Sequence, residues 1–505
     1  KIFACMGYKS TISKPFCNWI ARDTAKWTAN AARDQDNIMK QLIKKARNTQ
    51  FGKDHQFASI NDHLSFAAHV PLRDYEELRP YIDMILAGEK DVLWPGKPKY
   101  LAKTSGTTSG VKYIPITKDS MPNHMRTATS AFLNVASQAK MQDVLDGRVM
   151  FLSGSPEMEN KAGIPTGRLS GIVNHEVPAW VAANKLPSYE ANCIEEWEEK
   201  LDAIINETKN EDMRLIGGIP PWVQMYFEKL IEVTGKKTIM EIFPNLRIFV
   251  YGGVNYEPYR DTIEKLIGKR LPSLETYPAS EGFIAFQDRL ENEGLLLNTR
   301  SGIFFEFVPV EEMGNNYPSR LGLNDIELYK DYAIIINNNA GLWGYIIGDS
   351  VQFVSLDPYR IVVSGRIKHF ISAFGEHVIG KEIEDSMLAA CAKYDAQVVE
   401  YTVAPEVNPI DGSTPYHEWF VEFSQSPKDI NMFCKELDSQ LSRKNIYYQD
   451  LIEGKVLKPL VLREMKTDTF RNHMKSIGKL GGQNKVPRLS NDRKIAEAIQ
   501  QYIKL

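Results

Sequence analysis

The chain has 505 residues, 43% apolar and 25% charged, with a net charge of −3. Its length exceeds one ordinary core, so two or three domains are expected. Its near-neutral charge gives no electrostatic case for nucleic acid or an anionic membrane surface. No run of about 18 apolar residues occurs, so no membrane-spanning helix is expected. The five cysteines have no paired spacing and the nine histidines do not cluster. That argues against a disulfide framework or a structural zinc site and for a reducing compartment, the cytoplasm. The opening KIFACMG is too short for a signal peptide's apolar region, and Met6 is a candidate natural start.

Residues 8–50 read as helices. Over 34–48, Ile38, Met39, Leu42, Ile43 and Ala46 share one face, with lysines opposite and Asn48 and Gly52 as the stop. Lys44 and Lys45 fit a solvated face. Residues 60–100 hold Pro-rich connections and a short acidic helix near Tyr75. Residues 102–117, AKTSGTTSGVKYIPIT, join a Gly/Ser/Thr loop to an apolar strand. Converging backbone N–H groups and hydroxyls suit a polyphosphate. The spacing is not that of a Walker A loop, because Gly106 and Gly110 enclose three residues and Lys112 follows two places later. A solvated hairpin turn has the same composition. Residues 120–140 read as a helix whose N-terminal end would face the loop.

From 147 to 255 strands and helices alternate. RVMFLSG, LIGG and LRIFVYGG each end in glycine, the last in Gly252 and Gly253. Strand-then-glycine at intervals implies an α/β sheet with ligand loops at strand C-termini. Residues 271–287 repeat this, with a polar loop from Tyr277 to Gly282. Residues 295–363 are strand-rich, implying an antiparallel sheet or distorted barrel. Residues 365–375 are polar and glycine-punctuated and mark a hinge-like domain boundary. An α+β domain of ordinary size follows, ending in a helix capped by Ser490 or Asn491. The domains are therefore placed at 1–367 and 368–505.

Four stretches carry the candidate chemistry. The hydroxyl-rich loop suits phosphates. Tyr277 and Ser280 suit adenine, and Glu281 suits a magnesium ion carried by ATP. Asp349, after Gly348, suits a ribose, whose vicinal hydroxyls donate to a carboxylate. Lys485, near the C-terminus, suits an oxyanion that develops during reaction. Each has an ordinary alternative: Gly348-Asp349 as a hairpin turn, Ser280-Glu281 as a helix start, Tyr277 as core, Lys485 as a solvated charge. Their ordered occurrence carries the reading.

KTSGTTSG, YPASE and AGLWGYIIGD resemble the three nucleotide motifs of the adenylate-forming superfamily that includes acyl-CoA synthetases and luciferase. NNNAGLWGYIIGD, TPYHEWFVEF and TDTFRNHMKSIGKLGGQNKVPR are similar to stretches of the acyl acid amido synthetases, the auxin-responsive "Gretchen Hagen three" family, and especially to its bacterial relatives. The resemblance runs from about residue 30 to the end of the chain. It implies a large N-terminal domain of α/β sheets with a distorted β-barrel, and a smaller, mobile α+β C-terminal domain. It implies ATP and Mg2+, and a carboxylic acid and an amino acid as substrates, with no nucleic acid or membrane partner. A cytoplasmic monomer is expected. The acid would attack the α-phosphate to give an acyl-adenylate and pyrophosphate, and the amine would then displace AMP. Carried over by position, Thr104, Ser105, Gly106, Thr107 and Thr108 would contact phosphate, with Thr108, Glu281 and Lys485 catalytic. Gly252, Gly253, Tyr277, Ser280 and Asp349 would hold the nucleotide. Arg126, about two turns early on its helix, would be the acid's partner. Three places depart from the family pattern. Gly344 and Ile346 replace arginines, and Glu376 or His377 stands where a lysine is expected, with Lys368 and Lys381 as offset candidates. An acyl-CoA ligase and an inactive nucleotide- or acid-binding protein are the alternative readings.

Overall fold

Apolar spacing produces the expected first helices. Ala31–Ala46 buries Met39, Leu42, Ile43 and Ala46. Gly52 is not its stop; it lies in the next helix, Gln50–Asp54, which Thr49 caps by accepting from the Gly52 N–H at 3.0 Å. A Cβ at position 52 would lie 2.2 Å from the Ala46 carbonyl oxygen, so glycine is needed for close approach. The acidic helix spans Tyr75–Leu86 and opens with a capping box between Asp74 and Glu77.

The computed structural model describes residues 8–107, 110–177, 182–253, 256–290, 294–313, 315–366, 370–371, 373–376, 378–477 and 486–504. Two compact units result. One comprises Lys1–Thr104, Tyr113–Ile194 and Lys200–Ile367; the other comprises Ser105–Lys112, Glu195–Glu199 and Lys368–Leu505. Among the described residues no helix is long and apolar enough to cross a membrane.

Strands are numbered in chain order. β1 (Tyr100–Thr107), β2 (Gly110–Ile116), β4 (Glu159–Lys161) and β5 (Ile164–Gly167) form a small sheet of order β2-β1-β5-β4. The Met121–Gln138 helix starts beyond the end of β2.

The large sheet contains the remaining strands of the first unit. These are β3 (Arg148–Phe151), β6 (Lys185–Leu186), β7 (Met213–Gly217), β8 (Ile248–Gly252), β9 (Ser273–Ala279), β10 (Gly282–Phe286), β11 (Leu295–Leu297), β12 (Ile303–Pro309), β13 (Asp331–Asn338), β14 (Tyr345–Leu356) and β15 (Tyr359–Arg366). Their order is β12-β13-β14-β15-β11-β10-β9-β8-β7-β3-β6. β6, β3, β7, β8 and β9 are parallel, so their C-terminal ends share one edge. From β9 through β12 the pairing is antiparallel.

That antiparallel half curls strongly. Four strand intervals separate β9 from β14, about 19 Å in a flat sheet, yet the Tyr277 hydroxyl reaches Asp349. Likewise a Cβ on Gly282 of β10 would come within 2.7 Å of Ile303 on β12. The strand-rich stretch is therefore an antiparallel sheet rolled into an open, distorted barrel. Its interior packs Phe305, Phe307, Tyr332, Ile334, Ile336, Val351 and Phe353.

In the second unit, β16 (Phe370–Ile371) pairs with β17 (Val378–Ile379). β18 (Gln397–Glu406), β19 (Tyr416–Gln425) and β20 (Val461–Glu464) form a mixed sheet, flanked by helices such as Gly380–Tyr394 and Ile430–Lys444. The last helix, Lys494–Ile499, begins after Arg493, later than a Ser490 or Asn491 cap allows. The Ser490 hydroxyl instead donates to Asp492, which also accepts from the Lys494 N–H at 3.1 Å.

Candidate active site

β9 and β10 join in a tight turn, Gly282 facing Ala279 in register, so Ser280 and Glu281 occupy its tip. The expected polar loop from Tyr277 is thus mostly strand. The stretch at 345–349 is also strand rather than loop: β14 runs through it, with Gly348 at φ +100° just before Asp349.

Curling of the sheet brings these two stretches together. The Tyr277 phenol donates to Oδ2 of Asp349, which is 4% exposed. Oε1 of Glu281 accepts from the buried Tyr345 hydroxyl at 3.3 Å. Burial, then the nearby Glu281 carboxylate, pushes that phenol well above its usual range, so it stays a donor. Asn338 Nδ2 donates to the Glu281 carbonyl at 2.7 Å, while its Oδ1 accepts from the N–H groups of Ala340 and Leu342 at 3.0 and 3.1 Å. Sequence reading missed Asn338 and Tyr345 as supports, although Tyr345 lies within its own third motif and Asn338 just before it.

The glycines at the end of β8 have different reasons. A Cβ at Gly252 would lie 2.4 Å from the Thr276 carbonyl oxygen, so glycine there serves strand packing. Gly253 has φ +78° and nothing within 4 Å of a built Cβ, leaving open space at the strand end.

β1 continues to Thr107 and β2 resumes at Gly110, so the hydroxyl-rich loop is a hairpin. Thr104 is half-buried on β1. Thr108 and Lys485 lie outside the described residues, as do the side chains of Ser105, Gly106 and Thr107. Arg126 is on the exposed face of its helix. The helix face turned inward carries Asn123, which accepts from the Phe283 N–H at 2.7 Å, and Thr127, which accepts from Asn298 at 2.8 Å. His124 is on it too, and burial pushes its imidazole down to about 4, so it is neutral at pH 7.

The departures have structural causes. A Cβ at Gly344 would lie 2.3 Å from the Pro71 carbonyl oxygen, at φ +56°. The Arg73 N–H donates to the Gly344 carbonyl and the Ile346 N–H to the Arg73 carbonyl, both at 2.8 Å. Backbone occupies the space an arginine at 344 would need. Ile346 packs against Val308, Ala333 and Ile335. Glu376 is fully buried, accepting from the Phe374 N–H at 2.8 Å and holding His417 Nε2 at 2.7 Å. It serves the packing of the second unit and does not stand in for a lysine.

Among the described residues no group of three His, Cys, Asp or Glu side chains is placed to hold a metal. Glu281 as a single carboxylate fits a magnesium ion that takes its other ligands from phosphates and water.

The sequence matches the GH3 family N-terminal domain over residues 21–177 and 166–272, its central domain over 296–366 and its C-terminal domain over 381–494. A jasmonoyl–L-amino acid synthetase from Nicotiana attenuata is 23% identical over 391 residues, covering 64% of this chain and 67% of the relative. An indole-3-acetic acid-amido synthetase from Arabidopsis thaliana is 22% identical over 556 residues, covering 94% and 92%. The solved structure of the AtGH3.15 acyl acid amido synthetase in complex with 2,4-DB superposes with a TM-score of 0.61 at 16% identity, over 99% of this chain and 98% of that one. The shared fold and three consecutive domain matches bear out the family expected from the motifs: the chain belongs to the GH3 family.

Proposed function

We propose that this chain is an acyl acid amido synthetase: it adenylates a carboxylic acid with ATP and passes the acyl group to an amino acid. The observation that carries this reading is the pairing of Tyr277 with Asp349 beside Glu281, at the edge where the parallel strands end, in a member of this family. An adenine lies along Tyr277 and Ser280. The Asp349 carboxylate takes the ribose hydroxyls, which donate to it. The backbone and hydroxyls of residues 104–108 cradle the phosphates. A bound Mg2+ would neutralise phosphate charge, with Glu281 as its protein ligand.

In the first step a carboxylate oxygen bonds to the α-phosphorus and pyrophosphate leaves. Two anions must meet, so preorganised donors and the Lys485 ammonium lower the barrier by stabilising the crowded phosphoryl centre. In the second step the neutral amine adds to the acyl carbon, loses a proton, and AMP leaves with its electron pair.

The test is acid-dependent pyrophosphate release from ATP with pooled aryl, indolic, fatty and amino acids, followed by mass spectrometry of products with amino acids or coenzyme A as acceptor. An amide supports the reading. A thioester replaces it with an acyl-CoA ligase, and ATP binding without turnover replaces it with a binding protein.

A further inference from the structure

The first helix, Tyr8–Thr28, has one face that the fold uses and one that it does not. Its inner side is fixed to the Met121–Gln138 helix. There Cys17 packs with Leu133 and Ala136, Asn18 accepts from the Ser137 hydroxyl at 2.8 Å, and Thr24 accepts from Asn134 at 3.0 Å. Its outer side carries Ile12, Phe16 and Trp19, which are 73%, 49% and 58% exposed. Steps of four and three residues put them on one ridge. The Phe16 and Trp19 rings stack with centroids 5.7 Å apart. Large apolar side chains exposed side by side mark an interaction surface.

Cations surround this ridge. Lys9 precedes it, Asp23 and Lys26 continue it at the same spacing, and Arg22 stands beside Trp19. The helix carries four basic residues, Lys9, Lys14, Arg22 and Lys26, against the single carboxylate of Asp23. The net charge of −3 for the whole chain hides this local excess. Asp23 itself lies 3.4 Å from Arg300, a further exposed cation. Lys14, Arg22 and Lys26 are exposed and have no ion-pair partner among the described residues.

The ridge runs into a groove. Asp23 and Lys26 also line a groove of about 720 Å³ that includes Trp27 and Trp94. Each carboxylate lining it is paired: Asp23 with Arg300, Asp34 with Arg33 at 4.0 Å, and Asp119 with Lys45 at 2.7 Å. Lys26 is the lining cation left over, so an anion is favoured beside it.

Exposed aromatics between cations match an anionic lipid surface. Trp and Phe settle at headgroup level, while Lys and Arg are drawn to the negative leaflet. A second copy of the chain fits less well. The three apolar side chains expose on the order of 400 Å², about half of the roughly 800 Å² that each partner gives to a stable interface. A two-fold pairing would also bring the same cations together.

We propose that the Tyr8–Thr28 helix docks this protein on an anionic bilayer, with Ile12, Phe16 and Trp19 in the headgroup layer and Arg22 and Lys26 on lipid phosphate. The docking is peripheral, because among the described residues no helix is long and apolar enough to cross a membrane. It departs from the expectation of no membrane partner, which weighed the charge of the chain as a whole. It is independent of the ligase reading.

The test sediments the full chain with vesicles of phosphatidylcholine alone and of phosphatidylcholine mixed with phosphatidylglycerol. Salt is set at about 0.1 M and about 1 M, where the screening length falls from about 10 Å to about 3 Å. The wild type should bind the anionic vesicles about tenfold more tightly than the neutral ones, and lose most of that difference at high salt. Phe16→Ser combined with Trp19→Ser should weaken binding by about tenfold or more. Arg22→Glu combined with Lys26→Glu should remove the preference for anionic lipid, and Arg22→Lys should keep it. The thermal midpoint should stay unchanged in all of these variants. No binding of the wild type to anionic vesicles, equal binding to both kinds, or binding untouched by Phe16→Ser with Trp19→Ser overturns the proposal. A lipid-free dimer in sedimentation velocity that the same two substitutions dissociate also overturns it, by giving the face to a second copy.

Discussion

The Tyr277 hydroxyl on β9 donates to the buried Asp349 carboxylate on β14, across a sheet in which four strand intervals separate them. The bond closes the curl of the sheet and fixes the orientation of the acceptor assigned to the ribose. Asp349→Ala should raise the KM for ATP by about tenfold or more, equivalent to about 1.4 kcal/mol. Tyr277→Phe should cost less, and the double variant less than the sum of the two, because they share one interaction. Nucleotide titration of all three variants checks this; additive losses would mean that the residues act independently.

Gly344 tests whether the missing arginine is a structural exchange. Its backbone touches Pro71 and Arg73, and an added Cβ falls 2.3 Å from the Pro71 carbonyl oxygen at φ +56°. Gly344→Ala should destabilise the protein by about 2 kcal/mol or more, from overpacking and left-handed strain together. Denaturant unfolding measures it. An unchanged midpoint would leave the glycine without a structural reason.

Glu306 should dominate acid sensitivity in the first unit. Burial opposes its ionisation, but Arg320 and His63 prevail and hold the carboxyl down to about 2. Arg320 Nε donates to it at 2.9 Å, His63 contacts it at 2.8 Å and Asn337 donates at 2.8 Å. Its pKa is lowered on folding, so its contribution is full above 4.5 and is lost as pH falls toward 2. A depression from 4.5 to about 2 corresponds to about 3 kcal/mol. Glu306→Gln should lower the midpoint at pH 7 and flatten its dependence below pH 4.5. An unaltered acid limb would show that the carboxylate is not ionised in the fold.

Glu382 has the opposite sign. Burial pushes it up to about 7, against the lowering effect of Asn445 and the Ile379 N–H, each donating at 3.0 Å. Its pKa is raised on folding, so its contribution is full below 4.5 and is lost as pH rises through about 7. Glu382→Gln keeps an acceptor for both donors and should stabilise the protein at pH 8 by up to about 3 kcal/mol, with little effect at pH 4.5. Thermal unfolding of both proteins across this range checks the sign; a stability loss at pH 8 would contradict it.

Local pattern made much of this chain legible. The glycines after RVMFLSG, LIGG and VYGG mark the ends of β3, β7 and β8, because the turn at a strand end is written in neighbouring residues. Of the motif residues, Tyr277 bonds to Asp349, and Glu281 bonds to Tyr345 on the same strand as Asp349. What stayed hidden depends on distant chain. Gly52 looked like a helix stop because the carbonyl that needs it, at Ala46, becomes a neighbour only after the next helix forms. Gly344 looked like a lost arginine because the Pro71 backbone that fills its space is remote in sequence.

The most direct test of adenylation follows an oxygen atom. A carboxylic acid labelled with 18O in both carboxyl positions is incubated with the enzyme, ATP and amino acids. The acyl-adenylate route predicts AMP carrying one 18O from the acid, because aminolysis leaves the bridging oxygen on phosphorus. Label appearing in inorganic phosphate with ADP, or amide formation with unlabelled AMP, would contradict it.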